Sequence, residues 1–400
     1  LAAKNAKYTK KKDEMYGRGL KPALFDMRNL LLKLIVRLIL CGMIAMPIGA
    51  SAQTAKPAWQ TDWDKTIELA KKEGKVVVSL TTSAELRAAI EKQFEKRFGI
   101  DVEPVVGRAT SVIRKIIDES RAGVGYVDVH IGGSESVITG LLPEGILQAV
   151  EPAMMLPEVR DPKQWWGGHL WVDNAKRFAY TSMAHLSETL WYNPQRFKGE
   201  EFQSFDDLLD ERLQGKIALL DPRTPGSGAS LWAYLRDIKG EDYLKRLVGQ
   251  KLLISRDQRI LAENLAKGSS SIVMGLGYYS FATFIKSGLP IQALPTAKEG
   301  NYISGGSGHL VILKNAPHAN ARNLFANWFL SREGQDIYGK ALGQGSRRFD
   351  VDTKWLRDIG ISAAKDVLAI EQYYKRENQS EDKIHRSREP AAALARKLFD

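Results

Sequence analysis

Two phenols stand side by side in the stretch "GLGYYSFATF", residues 275–284, where Tyr278 and Tyr279 follow a short apolar run and two small residues. Two roles fit such a pair. A phenol has a pKa of about 10. A strongly polarising cation displaces its proton at neutral pH, and the resulting phenolate is a hard oxygen donor suited to a hard trivalent ion. Alternatively, the rings pack with their bodies covered and their hydroxyls wet, the ordinary state of tyrosine at half-buried positions.

Five loops share a second pattern. They are Thr81-Thr82-Ser83, Gly107-Arg108-Ala109-Thr110-Ser111, Gly133-Ser134-Glu135-Ser136, Pro225-Gly226-Ser227-Gly228-Ala229-Ser230 and Gly305-Gly306-Ser307-Gly308. Glycine lets a backbone approach a ligand, and hydroxyls with free amides at a helix start offer donors to an anion. Singly, each loop reads as an ordinary Ser/Thr helix cap. Together they read as the wall of one cleft, because ligands of open α/β sheets bind beyond the carboxyl ends of the strands.

Other chemistries find less support. The six histidines include no pair at zinc spacing. His130 falls in a strand pattern. His169, His185, His318 and His385 lie in contexts that read as exposed, and His309 abuts the fifth loop. No phosphate-binding Gly-rich loop with its Lys is present. "GGSGH" lacks the last glycine of a nucleophile elbow, so a secreted serine hydrolase using Ser307 and His309 is the remotest reading.

The elements that must position these loops follow from hydrophobic period. "KVVVSLT", residues 75–81, is a buried strand, and Thr82 with Glu85 makes a capping box for the helix behind it. Leu86, Ile90, Phe94 and Phe98 line one face of that helix. Strands at 101–106 and 127–131 flank a helix carrying Val112, Ile113, Ile116 and Ile117. This alternation implies a parallel sheet covered by helices. A second α/β set follows: strands at 186–192, 216–220, 271–274 and 291–294, with helices around Leu231 and Ile260. A strand at 309–313 and one long helix over 320–338 come next. The tail from Val351 reads as mostly helical, with residues 375–383 its most exposed stretch.

Four hundred residues exceed what one core usually holds, so two lobes are expected. The net charge of +11 is concentrated at the front. Residues 1–52 hold ten Lys+Arg and three Asp+Glu, leaving 48 basic against 44 acidic residues behind them. No basic stripe interleaved with aromatics calls for nucleic acid. Met27-Arg28, Lys33 and Arg37 precede an uncharged apolar run over 38–48 and the small residues Ala50-Ser51-Ala52, the order of a cleaved secretory signal peptide. The run is shorter than the roughly 20 residues of a membrane span. Residues 1–26 read as an upstream extension. The single cysteine, Cys41, lies in the apolar run, so cleavage leaves a thiol-free chain without disulfide, thiolate metal site or Cys nucleophile.

The order of several segments resembles the periplasmic solute-binding proteins of ABC importers, in the branch that includes ferric-iron-binding proteins. The resemblance runs over residues 57–345 and rests on "KVVVSLTT", "YVDVHIGGSES", "SETLWYNPQRF", "SFDDLLDERLQGKIALLDPRTPGSGAS", "GLGYYSF" and "GHLVILKNAPHANARNLFANWFLSREGQDIY". It implies a two-lobed α/β fold (type II), each lobe a mainly parallel sheet flanked by helices. One lobe would hold residues 53–155 and 299–345, the other residues 156–298 and 346–400, with crossing segments near 186–193 and 302–310. It implies no enzymatic activity, a periplasmic monomer, and transient docking on an inner-membrane permease.

For the site, the resemblance implies Fe(III) as cargo. Tyr278 and Tyr279 would be phenolate ligands and Glu135 a third donor, with Ser227, Gly228 and Ala229 holding carbonate or phosphate. Two positions depart from that branch: Thr81 and Thr82 stand where many iron binders have His, and Gly277 where Asn is common. An organic anion is the alternative cargo: a phosphonate, carboxylate or thiamine-like solute held by Arg108, Ser134 and Ser307, with Thr82 and Ser83 alongside.

Overall fold

The computed structural model describes residues 56–400 apart from Arg108, Glu188 and Thr189. The signal peptide expected over 27–52, the extension over 1–26 and the candidate Arg108 therefore lie outside the described residues. Among the described residues no helix is long and apolar enough to cross a membrane.

Three consecutive valines and a leucine make Lys75–Leu80 a strand that is covered from Val76 onward, as β-branched residues favour. It pairs in parallel with Asp101–Val106 and Val129–Gly132. His309–Leu313 then runs antiparallel to Val129–Gly132 and carries Leu147–Gln148 and Tyr180–Thr181 on its other side. The second sheet has five strands. Ile217–Leu220 lies parallel to Leu253–Ser255 and Ile272–Met274, and Leu190–Tyr192 runs antiparallel to Ile272–Met274 and Gln292–Ala293. Both sheets are thus mixed, with parallel pairs at the heart of each.

Each sheet has its own core. Val76, Val78, Phe94, Phe325 and Trp328 pack on the first. Leu219, Trp232, Leu235 and Leu244 pack on the second. A small third sheet lies where the chain passes between them: His185–Leu186 sits between Ile303–Ser304 and Ser362–Ala363, antiparallel to both. The expected strand over 186–192 is therefore two strands in two sheets. Three short strands between independently packed lobes form the geometry of a hinge.

Several expectations are corrected in detail. Ser83, not Thr82, caps the helix Ala84–Ile90, accepting from the Leu86 amide at 3.2 Å. The long helix over 320–338 is two helices, Ala319–Leu330 and Arg332–Leu342, because Ser331 turns extended and caps the second one. Trp165, Tyr180 and Met183 belong to the first core, so the chain leaves that lobe near residue 184 rather than 155. The tail divides between the lobes: Ile384 packs with Val112 and Ile138 of the first, while Ala391 and Ala395 pack with Trp232 of the second. The stretch 375–383 is not all exposed, since Glu377, Asn378 and Gln379 are buried. Their polar groups are bonded inward: Asn378 Nδ2 donates to Ser230 O at 3.1 Å, and Gln379 Nε2 to Tyr373 Oη at 2.7 Å.

Candidate functional site: an interlobe cleft

A cavity of about 940 Å³ opens between the two sheets, beyond the ends of Lys75–Leu80, Val129–Gly132 and Ile217–Leu220. Each of the five loops contributes to its wall. From the first lobe come Thr82, Ser83 and Thr110, then Ser134 and Glu135. From the second come Ser227, Tyr278 and Tyr279, and Ser307 lines it from the crossing segment. Gly228 and Ala229 are not on the wall. They lie inside the first turn of the helix Ser227–Lys239, where a Cβ on Gly228 would stand 2.1 Å from Leu220 O. The glycine is there to let the helix start press against its strand. Ser227 Oγ donates to Gly275 O, tying that loop to the one before the tyrosines.

The tyrosine pair occupies a short 3₁₀ turn, Tyr278–Ser280. Both rings are half-buried and lean different ways. Tyr279 packs against the first core, whereas Tyr278 packs near Trp191, ring centroids 6.3 Å apart, and against Leu356 and Ile361. Burial pushes both phenols above the usual value, with a Gln258 hydrogen bond opposing the shift at Tyr279. The pair reaches the cleft as neutral phenols.

Glu135 differs most from its expected role. Its carboxylate is buried and ion-paired with Arg388, from the π-helical turn Ile384–Arg388 in the tail. The same guanidinium reaches Ser134 Oγ at 3.4 Å and, across the cleft, Gly226 O at 3.3 Å. Arg388 thus touches both lobes, and Glu135 is engaged by a cation instead of standing free as a metal donor. Among the described residues no group of three or more His, Cys, Asp or Glu is placed to hold a metal ion.

Three buried histidines cluster here, His130 and His185 on the cavity wall and His309 behind it. His130 Nδ1 bonds Ser79 Oγ at 2.8 Å, and His309 Nδ1 bonds Gly132 O at 3.1 Å, joining the strand that leads into the third loop to the strand that leaves the fifth. His309 is therefore turned to the backbone, and no hydrogen bond joins it to Ser307. His185, expected in an exposed context, is buried and lines the cavity beside His130. Burial, with His309 nearby, lowers the pKa of His130 and His185 to about 4, and burial lowers that of His309 to about 4 as well. All three are neutral imidazoles at neutral pH.

Sequence reasoning missed the tail's contribution. Arg388, Asn378 and Gln379 line the cavity, and Gln379 Oε1 accepts from the Gly305 amide. Gln344 also lines it, accepting from the Ser307 amide at 3.2 Å. Glu135 and Arg388 are 253 positions apart, and no local spacing links them.

Two α/β lobes, joined by crossing segments and enclosing a cavity lined by hydroxyls and apolar side chains, define a protein built to hold a small solute. The chain belongs to the bacterial extracellular solute-binding protein family, whose pattern matches residues 78–336, more than half of its length. An uncharacterised protein of Haemophilus influenzae is 30% identical over 139 residues, 34% of this chain and 39% of that protein, so the match spans well under half of the relative. Among solved structures, iron-bound HitA from Pseudomonas aeruginosa superposes with a TM-score of 0.59 at 17% identity, over 82% of this chain and 99% of its own. AfuA from Actinobacillus pleuropneumoniae, with fructose-6-phosphate bound, gives 0.59 at 21% identity, over 82% and 98%. The ferric binding protein from Campylobacter jejuni gives 0.61 at 16% identity, over 81% and 98%. At these identities the likeness is one of fold.

Proposed function

We propose that the protein is the periplasmic solute-capturing component of an ABC importer, and that it holds a small polar organic solute between its lobes. One observation carries this reading: a cavity of about 940 Å³ whose hydroxyl-bearing walls come from both lobes and from the segment between them. A ligand that contacts both lobes favours the closed arrangement over the open one, and only that difference drives closure. The closed form then docks on a membrane permease, and no bond of the solute is broken. Native mass spectrometry of the protein purified from its host is the test. A retained small molecule, whose readdition to stripped protein raises the melting midpoint by mass action, supports capture. A protein that carries nothing and whose midpoint moves with no solute of a broad panel refutes it.

Ferric iron is the second reading, favoured by one observation: Tyr278 and Tyr279 both reach the cavity wall. Iron would lower the phenol pKa values against the direction burial sets. It would also depend on ligands other than the Arg388-paired Glu135. A visible charge-transfer band on adding ferric citrate, lost in Tyr279→Phe, supports iron. An unchanged spectrum and midpoint exclude it.

A further inference from the structure

Among the described residues, the charged groups on the cavity wall are already matched. Glu85 is held by Lys286, Asp221 by Arg223 and Arg256, and Arg259 by Glu263. Asp257 caps its own helix, accepting from the Arg259 and Ile260 amides at 2.9 and 3.2 Å. An ion entering this cleft gives up its hydration and meets charges that are compensated, which is a poor exchange.

Hydrogen-bonding capacity, by contrast, is left over. Buried polar atoms are nearly always paired, yet three covered nitrogens on cavity-lining side chains have no partner among the described residues: Arg388 Nε, His130 Nε2 and His185 Nδ1. Arg388 is 4% exposed at its side chain and Glu135 7%. Guanidinium donates only and carboxylate accepts only. A neutral imidazole nitrogen does one or the other according to its tautomer. A hydroxyl does both, and two neighbouring hydroxyls match a guanidinium beside a carboxylate. An oxyanion serves the donor alone and lies against the Glu135 charge. A cation meets the reverse conflict at Arg388.

We propose that Arg388 and Glu135 form a specificity pair that reads hydroxyl groups, so that the captured solute is an uncharged polyol or sugar. The proposal rests on the capture reading above and names its solute class. Aromatic faces suit it, since Tyr278, Tyr279 and Phe284 line the same cavity and offer apolar area to the C–H face of a ring. Because Arg388 also contacts Gly226 of the other lobe, a solute bound at the pair bears directly on a contact that bridges the cleft.

The experiment has two arms. First, the solute released from host-purified protein is identified by mass spectrometry, with neutral hydroxylated molecules expected. Second, titration calorimetry compares wild type, Glu135→Gln, Arg388→Gln and Arg388→Lys. The probes are D-glucose, D-fructose and myo-inositol beside D-fructose 6-phosphate, D-glucuronate and the released solute. Wild type should bind at least one neutral probe and bind its charged counterparts at least tenfold more weakly. Arg388→Gln should weaken the neutral probe 10- to 100-fold, with partial recovery in Arg388→Lys. Glu135→Gln keeps the shape and leaves the guanidinium unopposed, so it should shift preference toward the phosphorylated or uronate form. Melting curves establish that each variant is folded, and Glu135→Gln with Arg388→Lys decide the matter if Arg388→Gln is not. A released anion or metal ion, or an unchanged neutral-to-charged ratio in Glu135→Gln, overturns the pair's role and leaves capture standing. No released solute and no binding of any probe removes both.

Discussion

Lys286 Nζ lies 2.5 Å from Glu85 Oε1, so the short helix after the tyrosine pair is ion-paired to the helix Ala84–Ile90 of the opposite lobe. Lys286 is well exposed, at 61%, and Glu85 half-buried, at 33%. The contact bridges the cleft and adds to the closed arrangement only. Exposed pairs contribute about 0–1 kcal/mol and weaken with salt. Lys286→Ala should therefore loosen solute binding by no more than about fivefold, a limit set by that energy. It should also flatten the salt dependence of affinity, as read by titration at low and high ionic strength. A hundredfold loss would mean that Lys286 touches the solute itself.

Tyr278 is positioned from behind by a residue with no side chain. Gly343 has φ +65°, and a Cβ there would come 2.6 Å from Tyr278 Cδ1. The left-handed backbone alone costs an L-residue roughly 1–2 kcal/mol, and the clash adds to it. Gly343→Ala should lower the melting midpoint and displace the phenol from the cavity wall, weakening solute binding. Tyr278→Phe should leave stability nearly unchanged. If Gly343→Ala binds normally, Tyr278 is packing and not wall.

Much of this arrangement could be read from local pattern. Val76, Val77 and Val78 announce a buried strand, and the Phe94 and Phe98 spacing announces a helix face. All five hydroxyl loops border one cavity because strand ends in an α/β lobe share an edge. What could not be read depends on contacts remote in sequence. Glu135 looks like a free carboxylate until Arg388 arrives from the tail. Residues 377–379 look solvated because their partners, Ser230, Gly305 and Tyr373, are set by the fold. The break at Ser331 was hidden for a different reason: apolar residues continue in helical register on both sides, and only the serine's bond to the Gly334 amide marks it.

Arg347 is a buried cation with no carboxylate on it among the described residues. Its guanidinium donates to the carbonyls of Thr181 (2.7 Å), Trp166 (3.3 Å) and Gly168. It stands 5.8 Å from the Trp165 ring and 5.9 Å from that of Tyr180. Burial pulls its pKa below the usual value. Arg347→Met keeps most of the packing and leaves those carbonyls unpaired, at about 1–3 kcal/mol for each buried group left unsatisfied. Urea unfolding should show a lower midpoint with an unchanged slope. A loss below about 1 kcal/mol would mean that water replaces the guanidinium.

The buried histidines set an acid limit. His130 faces Ser79 and His309; His309 faces Gly132 and is near Arg388. Each of the three has its pKa lowered from 6.5 to about 4, so the unfolded chain binds protons more readily between those values. Stability is fully present above about pH 6.5 and falls as pH drops toward 4, by up to about 1.4 kcal/mol per pH unit for each histidine. Asp350, held below 3.8 by Arg348, loses its contribution only at lower pH, so the two windows separate. Urea titrations from pH 7.5 to 4.5 should show the decline, and His185→Gln, which removes one titrating site, should make it shallower. A stability that stays level from pH 7 to 5 would mean that these rings protonate inside the fold without cost.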